Sequence, residues 1–538
     1  MHRLELEDPA ERLLGRALRT QAEKIPDLPF LVSEEESLSF GRANALVNGW
    51  ARGLGALGAE PGQPVALFME SSPECVLAAL AANKLGGFWM PTNTDYKGPW
   101  LEETFRDGGA PVLVADGALL PKVAELGRDL PFRTLVVRGE PACDVPGVRL
   151  VPTEELARED APEPDDSGLD HADTAAVLWT SGTTGRSKGV MQSHDTWLRG
   201  AFHGARTARL RDDEVLYNCL PMYNSAAWVA NVFRALVTGR PCALDPRFSA
   251  SEFWDRCRRF DATMVFTLGA MHMFLWNAPA RPDDADNPVR TATMIPMPEE
   301  IVGAFKERFG LEAIHQGYGQ SECMTLLARA DEGKPCKPNS LGRPQPGIEL
   351  AILDGEDRPV AAGEPGELCV RPTEPNVLMN GYFRNPEATL AAFRNLWYHT
   401  GDLVRRDEDG DWFFVDRKAD YIRYKGRNLS SFAVEHTVNR HPAVRESAAH
   451  GVPSAELEAE AELKVCVVLE PGAELAAEEI ARFVNENAPY FFVPRYVEFL
   501  TELPRTPTGR VQKFKLRERG VTSETWDARA AGFEVSRR

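Results

Sequence analysis

Between Thr180 and Val190 the chain reads TSGTTGRSKGV, a run dense in groups that bind anions. Thr180, Ser181, Thr183 and Thr184 supply hydroxyls, Gly182, Gly185 and Gly189 let a backbone approach a ligand closely, and Lys188 adds a positive charge on a flexible stem. That inventory suits a polyphosphate. It is not a Walker A loop, because Lys188 is followed by Gly189 where that loop needs Ser or Thr. The plain alternative is a surface turn rich in Ser, Gly and Thr.

The elements that must position this loop follow from periodicity. Ala175–Trp179 (AAVLW) has strand length, and Trp197, Leu198, Ala201, Phe202 and Ala205 recur at helical spacing, so the loop is expected to join a strand to a helix. Upstream, a helix over 40–57, a strand over 64–69, a helix over 73–85 and strands at 111–114 and 134–137 alternate as in layered α/β subdomains. Residues 159–173 (EDAPEPDDSGLDHAD) are acidic and aperiodic, and read as a solvated connection. Asp407–Gly410 signals a hairpin leading into WFFVD, and after it a smaller α+β part is expected, with a strand at 464–469, a helix at 477–487 and the loop YFFVPRYVEF.

At 538 residues the chain exceeds one compact core, so two domains are expected, at 1–416 and 417–538. The net charge of -19 argues against nucleic-acid and anionic-membrane partners. Nine cysteines without a CxxC pair fit reduced thiols in a cytoplasmic protein better than a disulfide framework or zinc site. The first 18 residues resemble an amphipathic helix without an apolar core, and no run of 18 apolar residues follows, so neither secretion nor a membrane span is expected.

TSGTTGRSKGV, YGQSE at 318–322, GELCV at 366–370, NGYFRNPE at 380–387, TGD at 400–402 and DRKADYIRYKGRNLS at 416–430 together resemble the adenylate-forming superfamily, in particular acyl-CoA synthetases. FSASEFWDRC at 248–257 is most similar to the fatty-acid-transport and carnitine/crotonobetaine branches. The resemblance covers about Phe40 to Leu516. It implies a large N-terminal domain of layered α/β subdomains with a β-barrel-like part, and a small mobile α+β C-terminal domain. It assigns ATP phosphates to Thr180–Lys188, adenine to Tyr318, the α-phosphate to Ser321, magnesium to Glu322, and the ribose hydroxyls to Asp402 and Arg417. Carboxylates suit both of their assignments: they accept paired hydrogen bonds and supply hard oxygen to magnesium. Met294–Met297 corresponds to the turn against adenine. Tyr223, Asn224, Ala227, Gly269 and Gly317 correspond to the acyl pocket, with Ser225–Ala227 small enough to leave space; equally, Tyr223 and Trp228 fit a plain core. The loop around Gly426, flanked by Lys425 and Arg427, corresponds to the coenzyme A tunnel. The implied partners are ATP or AMP as acyl-adenylate, coenzyme A, Mg²⁺ and a small carboxylic acid; homodimers are common in the family.

Two positions depart from the family pattern. The hinge residue is Ala419, where Asp or Lys is usual; a hinge needs backbone freedom more than a given side chain. The family's catalytic lysine is Arg510, in PRTPTGRVQKFK. A planar guanidinium does not place one compact charge between carboxylate and α-phosphate, and losing such a preorganised contact lowers rate on the order of 10²- to 10³-fold. In an extended segment Lys513 points away from the face of residue 510. The expectation is therefore an acyl-CoA ligase weighted toward thioester formation, fed acyl-adenylate by a separate adenylating enzyme. An ordinary two-step ligase that tolerates Arg510, a transferase to a carrier-protein thiol, and an inactive nucleotide-binding relative are the alternatives.

Overall fold

The computed structural model describes residues 3–127, 129–181, 187–329, 336–418, 420, 422–424, 427–453, 461–506, 509 and 511–536. The packing divides into two compact units: Met1–Glu349 with Arg371–Leu396, and Leu350–Val370 with Trp397–Arg538. Within the second unit, residues on the two sides of the expected 416/417 break are tied together. The Asp416 carboxylate accepts hydrogen bonds from Ser431 N (2.5 Å) and Ser431 Oγ (2.7 Å), tying the strand Trp412–Arg417 to the first turn of the helix Ser431–Val438.

The first unit contains two seven-stranded sheets, each parallel except at one edge. One runs Arg149–Pro152, Thr134–Arg138, Val112–Asp116, Pro64–Phe68, Phe88–Pro91, Thr174–Ser181 and Ser187–Ser193 in spatial order. The other runs from Ala313–His315 through Thr291–Ile295, Met264–Leu268, Leu216–Asn218 and Cys242–Leu244 to the hairpin Pro29–Val32/Ser37–Ser39. Strands of parallel sheets are covered on both faces, which is why Pro64–Phe68 and Val112–Asp116 are buried throughout. The helix Pro73–Lys84 is apolar around nearly its whole circumference and is buried except at Glu74. Both sheets contribute to one core cluster that includes Leu31, Val65, Trp89, Trp197, Trp228 and Phe233.

The acidic 159–173 segment is not merely solvated. Asp166 pairs with Arg16 (2.9 Å) and Arg19 (3.2 Å), and Glu163 pairs with the buried Lys84 and accepts from Asn48 Nδ2 (2.9 Å). With Glu159 pairing Arg42 (3.1 Å), its charges answer cations on three early helices, a complementarity invisible to local composition. The N-terminal helix spans Leu14–Lys24 only, after a short 3₁₀ turn at Pro9–Glu11, because Pro9 forbids a continuous helix from residue 1.

In the second unit, Val444–Pro453, Ala461–Leu469, Tyr496–Phe499 and Trp526–Asp527 form a four-stranded sheet, with the helix Ala477–Asn487 as expected. The YFFVPRYVEF stretch is not simply a loop. Its second half is a strand parallel to 464–467. All nine cysteines are free thiols, and among the described residues no helix is long and apolar enough to cross a membrane.

Candidate active site

The phosphate-loop run is seated on a hairpin rather than at a strand-to-helix junction. Thr174–Ser181 pairs antiparallel with Ser187–Ser193, in the register Trp179↔Gly189, Thr180↔Lys188 and Ser181↔Ser187. The helix starts only at His194, where Ser193 Oγ accepts from Thr196 N at 3.1 Å. Gly182, Thr183, Thr184 and Gly185 lie outside the described residues. Gly189 has a packing reason of its own: a Cβ there would stand 2.7 Å from Val177 Cγ1 and 3.2 Å from Phe383 Cβ. Thr180 Oγ1 donates to Lys188 O across the hairpin (3.2 Å).

Residues 379–383 run alongside this hairpin and join it to the YGQSE stretch. Phe383 N donates to Gly189 O (2.7 Å), Asn380 N to Met191 O (2.8 Å) and Met379 N to Glu322 O (2.8 Å). This brings Tyr382 between two expected ligand-binding side chains. Lys188 Nζ lies 4.9 Å from the centre of the Tyr382 ring, and the Tyr382 hydroxyl donates to Glu322 Oε1 at 3.0 Å. The ring face attracts the ammonium while the phenol orients the carboxylate. Among the described residues Lys188 has no ion pair, so its charge stays available to an anion. Sequence reading quoted Tyr382 only inside NGYFRNPE; a lone tyrosine in a loop carries no spacing signal.

Ser321 sits beside the segment expected to line an acyl pocket, its Oγ 3.3 Å from Ser225 Oγ, and its carbonyl accepts from Gln192 Nε2. Tyr318 lies on the strand Gly317–Gln320, half-buried. Gly319 is required by the neighbouring strand, since a Cβ would fall 1.6 Å from Met324 O. A Cβ at Gly317 would likewise meet Leu327 O at 2.6 Å. Gly269 faces open space, and its N–H donates to Ile295 O (2.9 Å), which places it beside Met294–Met297. Met294 and Met297 are buried in a core cluster. Pro296 O accepts from His272 Nε2 (2.7 Å); a carbonyl only accepts, so Nδ1 is left to accept from Thr267 Oγ1 (3.1 Å). Burial holds this neutral ring's pKa down at about 4, against the raising effect of the Pro296 bond.

Of the expected acyl-pocket residues, Tyr223 is half-buried and burial raises its phenol pKa. Asn224 is engaged in a turn, its Oδ1 accepting from Ala226 N at 2.9 Å. Ala227 is fully buried in the main core, so Ser225 and Ala226 are the members of the small trio with exposed surface. Ala227–Val232 is wound as a π-helix, with Trp228 Nε1 donating to Met222 O (2.7 Å).

In the second unit, Asp402 and Arg417 are direct cross-strand partners, with Arg417 Nε 3.6 Å from Asp402 Oδ1. The Asp402 side chain is 7% exposed and that of Arg417 39%, so the guanidinium can turn toward a ligand without leaving its partner. Ala419, Lys425, Gly426 and Arg510 lie outside the described residues. Lys513 is described: it opens the helix Lys513–Arg519, and its ammonium contacts Glu435 Oε1 (2.7 Å) and Ser431 Oγ (2.6 Å).

The model for the AMP-binding enzyme family matches residues 18–383, and the model for its C-terminal domain matches 433–510. The chain belongs to the AMP-binding enzyme family. Family members similar to it include the crotonobetaine/carnitine–CoA ligase of Salmonella heidelberg (strain SL476), 30% identical over 485 residues that cover 89% of this chain and 93% of that one. Among solved structures of AMP-binding enzymes, the anthranilate CoA ligase AuaEII in complex with anthranoyl-AMP matches with a TM-score of 0.83 at 26% identity, covering 96% of this chain and 98% of that one. ATP-bound MatB from Rhodopseudomonas palustris matches with a TM-score of 0.80 at 25% identity, covering 94% and 98%. This AMP-binding enzyme therefore has the adenylate-forming fold and falls within the acyl-CoA ligase family.

Proposed function

We propose that this protein makes an acyl-CoA thioester from a carboxylic acid by way of the acyl-adenylate, and that it is weighted toward the second half-reaction. The observation that carries the weighting is Arg510 at the family's catalytic-lysine position. Lys513 is no ready substitute: it is held between Glu435 and Ser431. In the second step the coenzyme A thiolate attacks the acyl carbon, a C–S bond forms, the C–O bond to phosphate breaks, and AMP leaves with the electron pair. That step needs positioning and a good leaving group more than a bridging ammonium.

Tyr318 offers an aromatic face for adenine and Ser321 a hydroxyl for the α-phosphate, while Asp402 and Arg417 hold the ribose hydroxyls. The mobile part starts at 417, with its hinge at Ala419 and the coenzyme A tunnel at Gly426. Glu322 provides the hard oxygen donor that suits Mg²⁺, which when bound would neutralise polyphosphate charge. The small Ser225–Ala226 surface favours a bulky carboxylic acid, and a separate adenylating enzyme supplies the acyl-adenylate.

The rival reading, an ordinary two-step ATP-dependent ligase, is favoured by the Lys188–Tyr382–Glu322 arrangement, because a lysine and a metal-type carboxylate serve ATP rather than AMP. The two readings separate when one reaction receives ATP and acid and another receives preformed acyl-adenylate, both with coenzyme A. The proposal expects product to form much faster from the adenylate. Equal initial rates contradict it.

A further inference from the structure

Asp402 and Arg417 grip a ribose only if the hairpin fixes their separation, and one side chain from a third strand touches both arms of that hairpin. Glu367, on the strand Gly366–Pro372, is buried at 4% exposure. Its Oε1 accepts from Gly401 N (3.1 Å) and its Oε2 accepts from Lys418 Nζ (2.7 Å). Gly401 immediately precedes Asp402, and Lys418 immediately follows Arg417. The same two residues are joined through the backbone, Lys418 N donating to Gly401 O at 2.9 Å. Glu367 thus closes a ring around the strand ends that carry the acid and the base.

The surroundings explain why a carboxylate stands there. His399 Nδ1 lies 3.0 Å from Glu367 Oε2 and 3.3 Å from Cys369 Sγ, and His399 Nε2 lies 3.8 Å from Asp357 Oδ1. Burial pushes the Glu367 carboxyl up, yet hydrogen bonds from Lys418 and His399 outweigh it and the net shift is down, so the group stays charged at neutral pH. The ligand atoms of Glu367, Cys369 and His399 fall within 4.8 Å of one another, a donor set that zinc accepts. The Lys418 ammonium already sits on the oxygen such an ion would take, so the cluster reads as a complete ion network instead.

A buried ion pair is weak evidence for stability, because apolar replacements often serve as well. Its distinctive contribution here is geometric. We propose that Glu367 is a positioning residue for nucleotide recognition, holding Gly401 and Lys418 so that Asp402 and Arg417 meet the two ribose hydroxyls together. This rests on the assignment of Asp402 and Arg417 to the ribose.

The test compares AMP with 2′-deoxy-AMP by titration calorimetry on the full-length protein. Glu367→Gln keeps an acceptor for Gly401 N but cannot hold Lys418 as a counter-charge. Lys418→Met removes the other partner and leaves the buried Glu367 carboxylate without its counter-charge, so its unfolding midpoint is measured alongside, and Glu367→Gln, which strands no buried charge, keeps the test readable. Both variants weaken AMP binding by about tenfold, as loss of a supporting contact behind a ligand-binding group does, and weaken 2′-deoxy-AMP, which keeps only the 3′-hydroxyl, clearly less. The preference for the ribonucleotide therefore collapses, whereas a merely structural role would weaken both ligands alike. Variants that keep the wild-type preference overturn the positioning role while leaving the ribose assignment standing. A wild-type protein without that preference overturns the ribose assignment, and the clamp with it. Stoichiometric zinc in the purified protein, lost in Cys369→Ser, would overturn the clamp in favour of a metal centre.

Discussion

Two places in the C-terminal unit offer a cation near the expected chemistry, and they are built oppositely. At the ribose hairpin, Arg417 faces a buried carboxylate with its guanidinium more than a third exposed, while a neighbouring lysine and glutamate carry the structural load. At the start of the Lys513–Arg519 helix, the lysine itself carries that load: its ammonium is 11% exposed and is committed to Glu435 and Ser431. The Glu435 carboxyl is pushed up by burial more than Lys513 pulls it down, so this pair offsets a desolvation penalty and leaves little charge for a substrate. A lysine close in sequence to a catalytic position is thus no substitute for one at it. The pair proposed to hold the ribose leaves its guanidinium more exposed, and the described lysine nearest in sequence to residue 510 is committed to the fold.

The contrast breaks most readily at Lys513. Lys513→Met leaves the half-buried Glu435 carboxylate without its counter-charge and should destabilise the protein by about 2 kcal/mol, seen as a lower unfolding midpoint, with the ratio of the two half-reaction rates unchanged. Selective loss of the ATP-dependent step would make Lys513 the activating lysine after all. Next in size is Tyr382→Phe, which removes the hydroxyl on Glu322 and keeps the ring beside Lys188. It should weaken Mg-ATP binding by about tenfold and spare AMP, because a group that orients a ligand-binding carboxylate acts on what that carboxylate holds. Equal weakening of both nucleotides would contradict the arrangement.

A further effect is set by protons. His194, His272 and His450 are buried, and burial holds them neutral with pKa values of about 4, 4 and 3. Unfolded histidines take up protons below about pH 6.5, whereas these do not until near pH 4, so stability is complete above 6.5 and falls by a few kcal/mol toward pH 5. Unfolding midpoints between pH 7.5 and 5 check the slope. Smallest is His450→Leu. Neither ring nitrogen has a hydrogen-bond partner among the described residues, so the change should be neutral or stabilise by about 1 kcal/mol at neutral pH and flatten the acid slope.

Much of this was legible in the chain. The helix Ala477–Asn487 follows from one apolar face, on which Ile480, Ala481 and Val484 are buried, and the strands Pro64–Phe68 and Thr134–Arg138 follow from short apolar runs that lie in the core. The hairpin itself follows from the turn residues 407–410, but Asp402 stands opposite Arg417 only because the register shifts between Leu403 and Val404, which no local pattern signals. The strand Ser187–Ser193 was hidden because Lys188 and Gly189 interrupt its pattern, and Gly189 is explained only by the partner strand and Phe383 packed against it. Glu163, Glu367 and Lys513 were hidden for a shared reason. Their charged and polar partners are 32 or more residues away in sequence, and a charge paired at long range looks locally like a charge in water.

The account turns on residue 510, and Arg510→Lys measured in both half-reactions tests it most directly. Pyrophosphate release from ATP and acid should rise on the order of 100-fold, while thioester formation from preformed acyl-adenylate and coenzyme A stays at the wild-type rate. Wild-type pyrophosphate release that already matches the thioester step, and that lysine does not accelerate, would contradict the proposed division between the two steps.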